Sequence, residues 1–469
     1  MTQLQTKPPT GALDRFFDLT GRGTTVGREV RGGITTFVAV AYVILLVPII
    51  LGGAKDVTGA TLSIPQLTTA VALSAAITTI LMGLVGNAPF ALASGLGIAP
   101  VVAFQAAPHM TWDQAMGLVV LEGVVIVIFA LTGIRQLIMD AIPTPLKHAI
   151  GVGIGMFIAL IGLVDAGFVG KGAGTPVTLG EGGHLVGWPM VVFGFGLLLT
   201  FALFVRKVPG AILIGIVAST ILAIVVNALV SGIKWPGVVT PKMPDQLVAT
   251  PDFSSLLNVD LFGGFGTAGV LTATVVLFTL VLSGFFDAMG TILGVGEEAD
   301  MADSEGRIKG VGKILTIDGF GAIIGGATGG SANTIVVESA AGVGEGARTG
   351  LASLVTGVLF GGAMFLTPLA AVVPAQAAAP ALVLVGALMM TVARKIEWDD
   401  LELAIPAFLT VALMPFTYSI TNGVGAGIIA YTVIKAARGR FDQIHWLLWV
   451  ISAIFVAYFG IGFIEGLIA

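Results

Sequence analysis

Apolar runs of bilayer length succeed one another along almost the whole of this chain and leave little room for a soluble architecture. They lie near 32–53, 67–87, 90–107, 112–133, 146–168, 187–205, 211–232, 268–295, 314–328, 331–347, 349–373, 376–394, 400–419 and 421–437. A helix needs about 20 such residues to cross the hydrocarbon of a membrane. Charged residues make up 10% of the 469 positions, against about a quarter in soluble domains. The mean hydropathy is +1.01. The chain therefore reads as an all-α integral membrane protein of about 14 transmembrane segments, with the lipid bilayer as its first partner. A further apolar helix is expected over 445–464.

The charges orient these spans. With the N-terminus inside, basic clusters fall in the inner loops: Arg135/Lys147, Arg206/Lys207, Arg307/Lys309/Lys313, Arg348, Arg394/Lys395 and Lys435/Arg438/Arg440. Lys7, Arg15, Arg22, Arg28 and Arg31 join them in a polar segment, 1–31, that leads straight into an uncleaved first span. Of the 22 basic residues, 18 then lie inside and only Lys55, Lys171, Lys234 and Lys242 outside. That bias is the positive-inside pattern and places the N-terminus in the cytoplasm. The net charge of −5 implies no nucleic-acid partner, and a chain without cysteine has no disulfide or thiol chemistry.

Two spans do not read as plain helices. The third carries Ala-Ser-Gly-Leu-Gly-Ile-Ala-Pro at 93–100. The tenth carries Thr-Gly-Gly-Ser-Ala-Asn-Thr-Ile-Val-Val-Glu-Ser-Ala-Ala-Gly-Val-Gly-Glu-Gly at 328–346, with Glu338 in mid-run. Each is expected as a half-helix plus a short extended stretch. If the chain is two seven-span halves, these are the third members of each half, and an odd span count makes the halves inverted repeats. Leu-Thr-Gly-Ile at 131–134 and Leu-Thr-Pro-Leu at 366–369 echo one another, each preceding an Ile-Pro or Val-Pro and a Gly-rich helix. Broken segments at matching places of inverted repeats point to a transporter's midplane site.

Ionisable residues inside a membrane are costly and mark sites by default. Glu338 can accept paired N–H donors from a flat heterocycle, while unwound backbone nearby meets the ligand's acceptors. Its bland alternative is a carboxylate satisfied by a neighbouring helix. Asp287, in Leu-Ser-Gly-Phe-Phe-Asp-Ala-Met-Gly-Thr, is the second intramembrane acid, and Phe285 and Phe286 beside it offer a stacking face. Asp318, together with Asn333, reads as a structural polar group that anchors the interrupted segments. Glu122 reads equally as a packing hydrogen-bond partner or a functional group, and Glu345 as a solvated residue near the inner interface. His109, His148, His184 and His445 fall at loops or span ends without metal-ligand spacing, so no metal and no cofactor is expected. The Gly-rich runs at 342–344 and 151–155 read as packing surfaces rather than phosphate cradles.

These residues also carry a family resemblance that runs nearly end to end. It includes Phe-Phe-Asp-Leu (16–19) with Gly-Thr-Thr-Val (23–26), and Gly-Ile-Thr-Thr-Phe (33–37) with Ala-Tyr-Val-Ile (41–44). It continues through Ala-Ser-Gly-Leu-Gly (93–97), Phe-Asp-Ala-Met-Gly-Thr (286–291), Glu-Ser-Ala-Ala-Gly (338–342), Arg-Thr-Gly-Leu (348–351), Ile-Pro-Ala-Phe-Leu-Thr (405–410) and Met-Pro-Phe-Thr-Tyr-Ser-Ile (414–420). The chain resembles the nucleobase–ascorbate (nucleobase–cation symporter) transporter superfamily, in its AzgA-like adenine/guanine/hypoxanthine permease branch.

The resemblance implies a core of spans 1–4 (32–133) and 8–11 (268–373) moving against a gate of spans 5–7 (146–232) and 12–14 (376–437). A C-terminal segment, 438–469, follows. A homodimer in the plasma membrane is implied as well. Glu338 would hold the base, with Val337, Ser339 and Thr334 around it. Phe286 and Asp287 would stand alongside, and the third-span backbone at Gly97, Ile98 and Ala99 would close the other side.

Gly284, Ala99, Val47 and Val336 depart from the family pattern, each standing where kin often carry a polar residue, so the pocket is less polar than theirs. Proton-coupled nucleobase uptake is the leading reading, with Glu338 or Asp287 as the proton-coupling group. Transport of uracil or another heterocyclic amide is an alternative. From another class, a sulfate-permease-like anion transporter is disfavoured by an acid at the centre of the site. A membrane-embedded enzyme would need a nucleophile–base pair or metal constellation that the sequence lacks.

Overall fold

The computed structural model describes residues 11–132, 141–172, 174–237, 239–301, 308 and 310–460; the side chains of residues 286, 290 and 293 fall outside that description. Lys7, Arg135, Arg307 and Lys309 of the basic clusters, positions 133–134 of the first echo and the end of the 445–464 stretch also lie outside it. Within it the chain is mostly helical, and 11 helices are long and apolar enough to cross a membrane. The protein is a multi-pass membrane protein.

The first span is two helices, α1 (Val26–Val40) and α2 (Val43–Gly52), separated by a turn at Ala41–Tyr42. It begins earlier than the apolar run announces. Thr25 caps α1 by accepting from the Arg28 amide, and Glu29 is fully buried rather than solvated. Its carboxylate accepts from the Arg348, Thr349 and Ala352 amides, at 2.7, 3.3 and 3.1 Å. Those donors open α11 (Gly350–Ala363), and a carboxylate there complements the positive end of the helix.

Between these elements come α3 (Ile64–Leu81), the strand β1 (Leu92–Ser94) and α4 (Trp112–Thr132). Next are α5 (Thr144–Ala166), α6 (Trp188–Val205) and α7 (Ala211–Leu229), with the small hairpin β2 (Val169–Gly170) and β3 (Thr178–Leu179) after α5. There follow α8 (Val270–Glu298), α9 (Val311–Thr328), the strand β4 (Asn333–Ile335) and α10 (Ser339–Gly344). After α11 come α12 (Ala375–Met390), α13 (Leu401–Phe416), α14 (Ile420–Ala437) and α15 (Trp446–Phe459). With 21 residues at 1.5 Å rise, α4 is about 31 Å long, the thickness of the hydrocarbon.

Packing sorts the helices. α4 lies along α9, α11 along α1 and α3, and α10 on α1. Separately, α5 lies along α12 and α13, α13 on α14, and α6 on α7 and α12. Small residues make the approaches close. A Cβ on Gly123 of α4 would stand 2.5 Å from the Gly319 carbonyl oxygen of α9, so only glycine fits there.

Candidate functional site

The two broken segments pair with each other. β1 and β4 run antiparallel, with Leu92 opposite Ile335, Ala93 opposite Thr334 and Ser94 opposite Asn333. The ladder extends by the Gly95 amide to the Ala332 carbonyl (3.0 Å) and the Val336 amide to the Ala91 carbonyl (3.1 Å). Glycine and serine keep these stretches out of helix, and each chain re-enters helix directly afterwards, at Ala99 and at Ser339. Backbone of this kind at membrane depth must be buried in protein or line a cavity.

Buried side chains hold the ladder. Asp318, in the second turn of α9, accepts from the Ile335 amide (3.0 Å) and the Thr334 hydroxyl (3.1 Å). Asn333 donates to Thr78 and accepts from Ser74. Ser339 accepts from the Ala91 amide at 3.0 Å and donates to the Val336 carbonyl at 2.7 Å. Thr334 and Ser339, both buried, are therefore engaged in this scaffold, with Asp318 and Asn333.

Glu338 heads α10, half-buried, at the point where the chain turns into helix. One carboxylate oxygen accepts from the Tyr42 hydroxyl at 2.6 Å, across from the break in the first span. Asp287 of α8 is close enough to both to interact electrostatically. Asp287 is exposed and Val337 is 61% exposed although both lie within the membrane-crossing body. The amides of Leu96 and Gly97 on the third segment, and of Val337 next to Glu338, have no backbone acceptor among the described residues. The two broken segments and α8 thus supply both carboxylate acceptors and amide donors without a backbone acceptor. That set suits a flat solute with both N–H and carbonyl or ring-nitrogen groups.

Gly97, Ile98 and Ala99 are buried at the start of the third-segment half-helix, the Ile98 and Ala99 amides both bonded to the Gly95 carbonyl. Phe285 is buried, whereas the Phe286 side chain lies outside the described residues. Tyr42 is the residue that sequence reasoning missed. It sits in the quoted Ala-Tyr-Val-Ile motif and is one of four tyrosines in the chain, but only the turn at Ala41–Tyr42 aims it at Glu338. Glu122 is fully buried, and neither carboxylate oxygen has a hydrogen-bond partner among the described residues, so the packing reading does not hold. Glu345 is partly exposed and pairs with Arg31 at 2.9 Å. No His, Asp or Glu group among the described residues is arranged to hold a metal.

Residues 27–425 match the family model Xan_ur_permease, described as a permease family. The chain belongs to the Xan_ur_permease family. It is accordingly a permease and not an enzyme. Among its relatives, the guanine/hypoxanthine permease PbuG of Bacillus subtilis is 35% identical, the match covering 95% of this chain and 99% of that protein. The adenine permease AdeP of Escherichia coli is 34% identical, over 95% of each. Among solved structures, the transmembrane domain of the cyanobacterial bicarbonate transporter BicA superposes with a TM-score of 0.59 at 16% identity, over 86% of this chain and 97% of that one. Murine Slc26a9 in its inward-facing state gives 0.58 at 11% identity, over 93% and 74%. At such identities the likeness is one of fold, and it places this Xan_ur_permease member in the BicA/SLC26 architecture.

Proposed function

We propose that the protein takes up nucleobases, guanine, hypoxanthine or adenine, across the cell membrane as a secondary active, proton-coupled transporter. The observation that carries this reading is the Glu338 carboxylate, held by the Tyr42 hydroxyl at the head of a broken segment whose partner offers free amides. A purine places an N–H and a neighbouring acceptor on one edge, which a fixed carboxylate and a nearby amide meet together. The names of the relatives support the same substrate class. An anion would call for a basic group, and the described side chains that interact with Glu338 and Asp287, namely Tyr42, Asp318 and the two acids themselves, include none.

In this reading the chain is two inverted seven-segment repeats. The body formed by α1–α4 and α8–α11 is the core, and that formed by α5–α7 and α12–α14 is the gate. The core carries the base past the gate, the N-terminus lies in the cytoplasm, and the working unit is a homodimer. Asp287 and Thr334 form the second rank of the site, Asp287 exposed on α8 and Thr334 on β4. The test is uptake of radiolabelled hypoxanthine, guanine, adenine and uracil by cells expressing wild type or Glu338→Gln. Saturable uptake of a purine that the substitution abolishes is expected. Undiminished uptake in the variant would remove Glu338 from the site, and a preference for uracil would replace the substrate class.

A further inference from the structure

Glu122 is the group that the site described above leaves unused. It lies mid-way along α4, where α4 packs on α8 and α9, and it is 0% exposed. Both of its carboxylate oxygens are buried without a hydrogen-bond partner among the described residues. A buried carboxylate without a donor or a cation is among the most expensive groups a protein can carry as an anion. What makes room for it is a missing side chain. A Cβ on Gly284 of α8 would stand 2.6 Å from Glu122 Oε1 and 3.4 Å from Ile98 Cδ1. The carboxyl therefore occupies the space that a side chain at position 284 would fill, against the third-segment half-helix. Asp287 follows Gly284 by three residues, one turn along the same face of α8, and is exposed.

The charged groups facing Glu122 are acids. Asp318 of α9 interacts with it electrostatically. Asp287 of α8 in turn interacts with Asp318. On α8 and α9 the remaining ionisable groups, Glu297, Glu298 and Lys313, sit near the cytoplasmic ends of those helices on the expected topology. The segments Gly263–Thr267 and Val102–Ala106, which also touch α4, carry none.

We propose that Glu122 is the proton-binding site of the transport cycle, held against Gly284 as a carboxylic acid in this conformation, with the exposed Asp287 one turn beyond Gly284 on α8. The proposal rests on the uptake reading above and names the group that couples it. A proton from the outer water forms an O–H bond with one Glu122 oxygen by way of the exposed Asp287. That bond breaks and the proton passes to the inner water once the core has moved. Glu122 then shuttles between a neutral form compatible with dry packing and an anion that is not, which ties its proton to the position of the core.

Two measurements test this. Infrared difference spectra of the purified protein in lipid, wild type against Glu122→Gln, read the proton directly and need no substrate. The carbonyl stretch of a protonated carboxylic acid is expected in wild type at neutral pH and lost in the variant. In proteoliposomes, stimulation of hypoxanthine uptake by an inward proton gradient is expected in wild type, lost in Glu122→Gln and retained in Glu122→Asp. A Glu122→Gln protein that keeps both the band and the gradient response overturns the proposal. So does a wild type without the band. If wild type takes up no nucleobase at all, the uptake reading fails, while the infrared band still decides whether Glu122 carries the proton.

Discussion

Changing Tyr42 to Phe removes one oxygen and leaves the ring to pack as before, so it isolates the bond to Glu338. The oxygens are 2.6 Å apart and Tyr42 is 1% exposed, so no bulk water stands ready to replace the hydroxyl. The distance falls in the short range of O–H donors to carboxylates. A hydrogen bond to a charged group contributes about 1.5–3 kcal/mol. At about 1.4 kcal/mol per factor of ten, losing it should weaken base binding roughly 10- to 150-fold if Tyr42 acts by fixing Glu338 in its binding orientation. The assay is ligand-dependent thermal stabilisation of purified protein, which yields an affinity without transport, alongside uptake for the Michaelis constant. A cycle with Glu338→Gln tells whether the two residues act as one unit, since partners in one network lose less together than the sum of their separate losses. Tyr42→Phe with wild-type affinity, or losses that simply add, would refute the assignment.

Two further outcomes follow from the scaffold. Asp318→Ala leaves the Ile335 amide and the Thr334 hydroxyl buried without an acceptor, at about 1–3 kcal/mol each. A lower melting temperature is expected, with Asp318→Asn closer to wild type because it keeps an acceptor oxygen. Asp56, in the loop after the first span, is pushed up by burial. That is outweighed by hydrogen bonds from the Thr58 hydroxyl and the Ala60, Thr58 and Trp112 amides, which hold it below its ordinary value of 3.8. A depressed folded-state value means that its stabilisation is complete above the unfolded value and is lost as pH falls through the folded one. The melting temperature of wild type should therefore fall on acidification below that range, and that of Asp56→Asn less steeply.

How far the sequence foretold this arrangement depends on what each feature needs. Apolar runs and two Gly/Ser-broken stretches are local properties, and the strands β1 and β4 lie at those stretches, whereas the first span begins at Val26 and breaks at Ala41–Tyr42, which its apolar run does not show. Glu338 and Asp318 stood out because a charge in an apolar run is visible without a fold. Tyr42 and Glu29 did not. Tyr42 is amphipathic and unremarked in an apolar helix, and its role depends on a partner 296 positions away. Glu29 belongs to the polar segment 1–31, yet it caps α11, which begins more than 300 residues later. Glu122 was visible as a charge, but its lack of partners is a property of the packed helices and of the glycine at 284.

The paired strands explain why so many Ser, Thr and Asp side chains are buried nearby. A two-stranded ladder satisfies only its inner edge, and in a membrane no water reaches the outer one. The neighbouring helices supply the missing partners. Thr79 of α3 donates to the Leu92 carbonyl and accepts from the Leu92 amide, both at 2.9 Å. Asp318 of α9 takes the Ile335 amide on the far strand. Ser339 of α10 takes the Ala91 amide, tying the end of one strand to the half-helix that follows the other. With the edges met from α3, α9 and α10, the unwound backbone is fixed by three helices of one packed body. Among the amides left without a backbone acceptor in the described residues are those at the turns into helix, Leu96, Gly97 and Val337. A solute bound there would be gripped by groups that belong to a single body, so a movement of that body against its neighbour could carry the solute without remaking its hydrogen bonds.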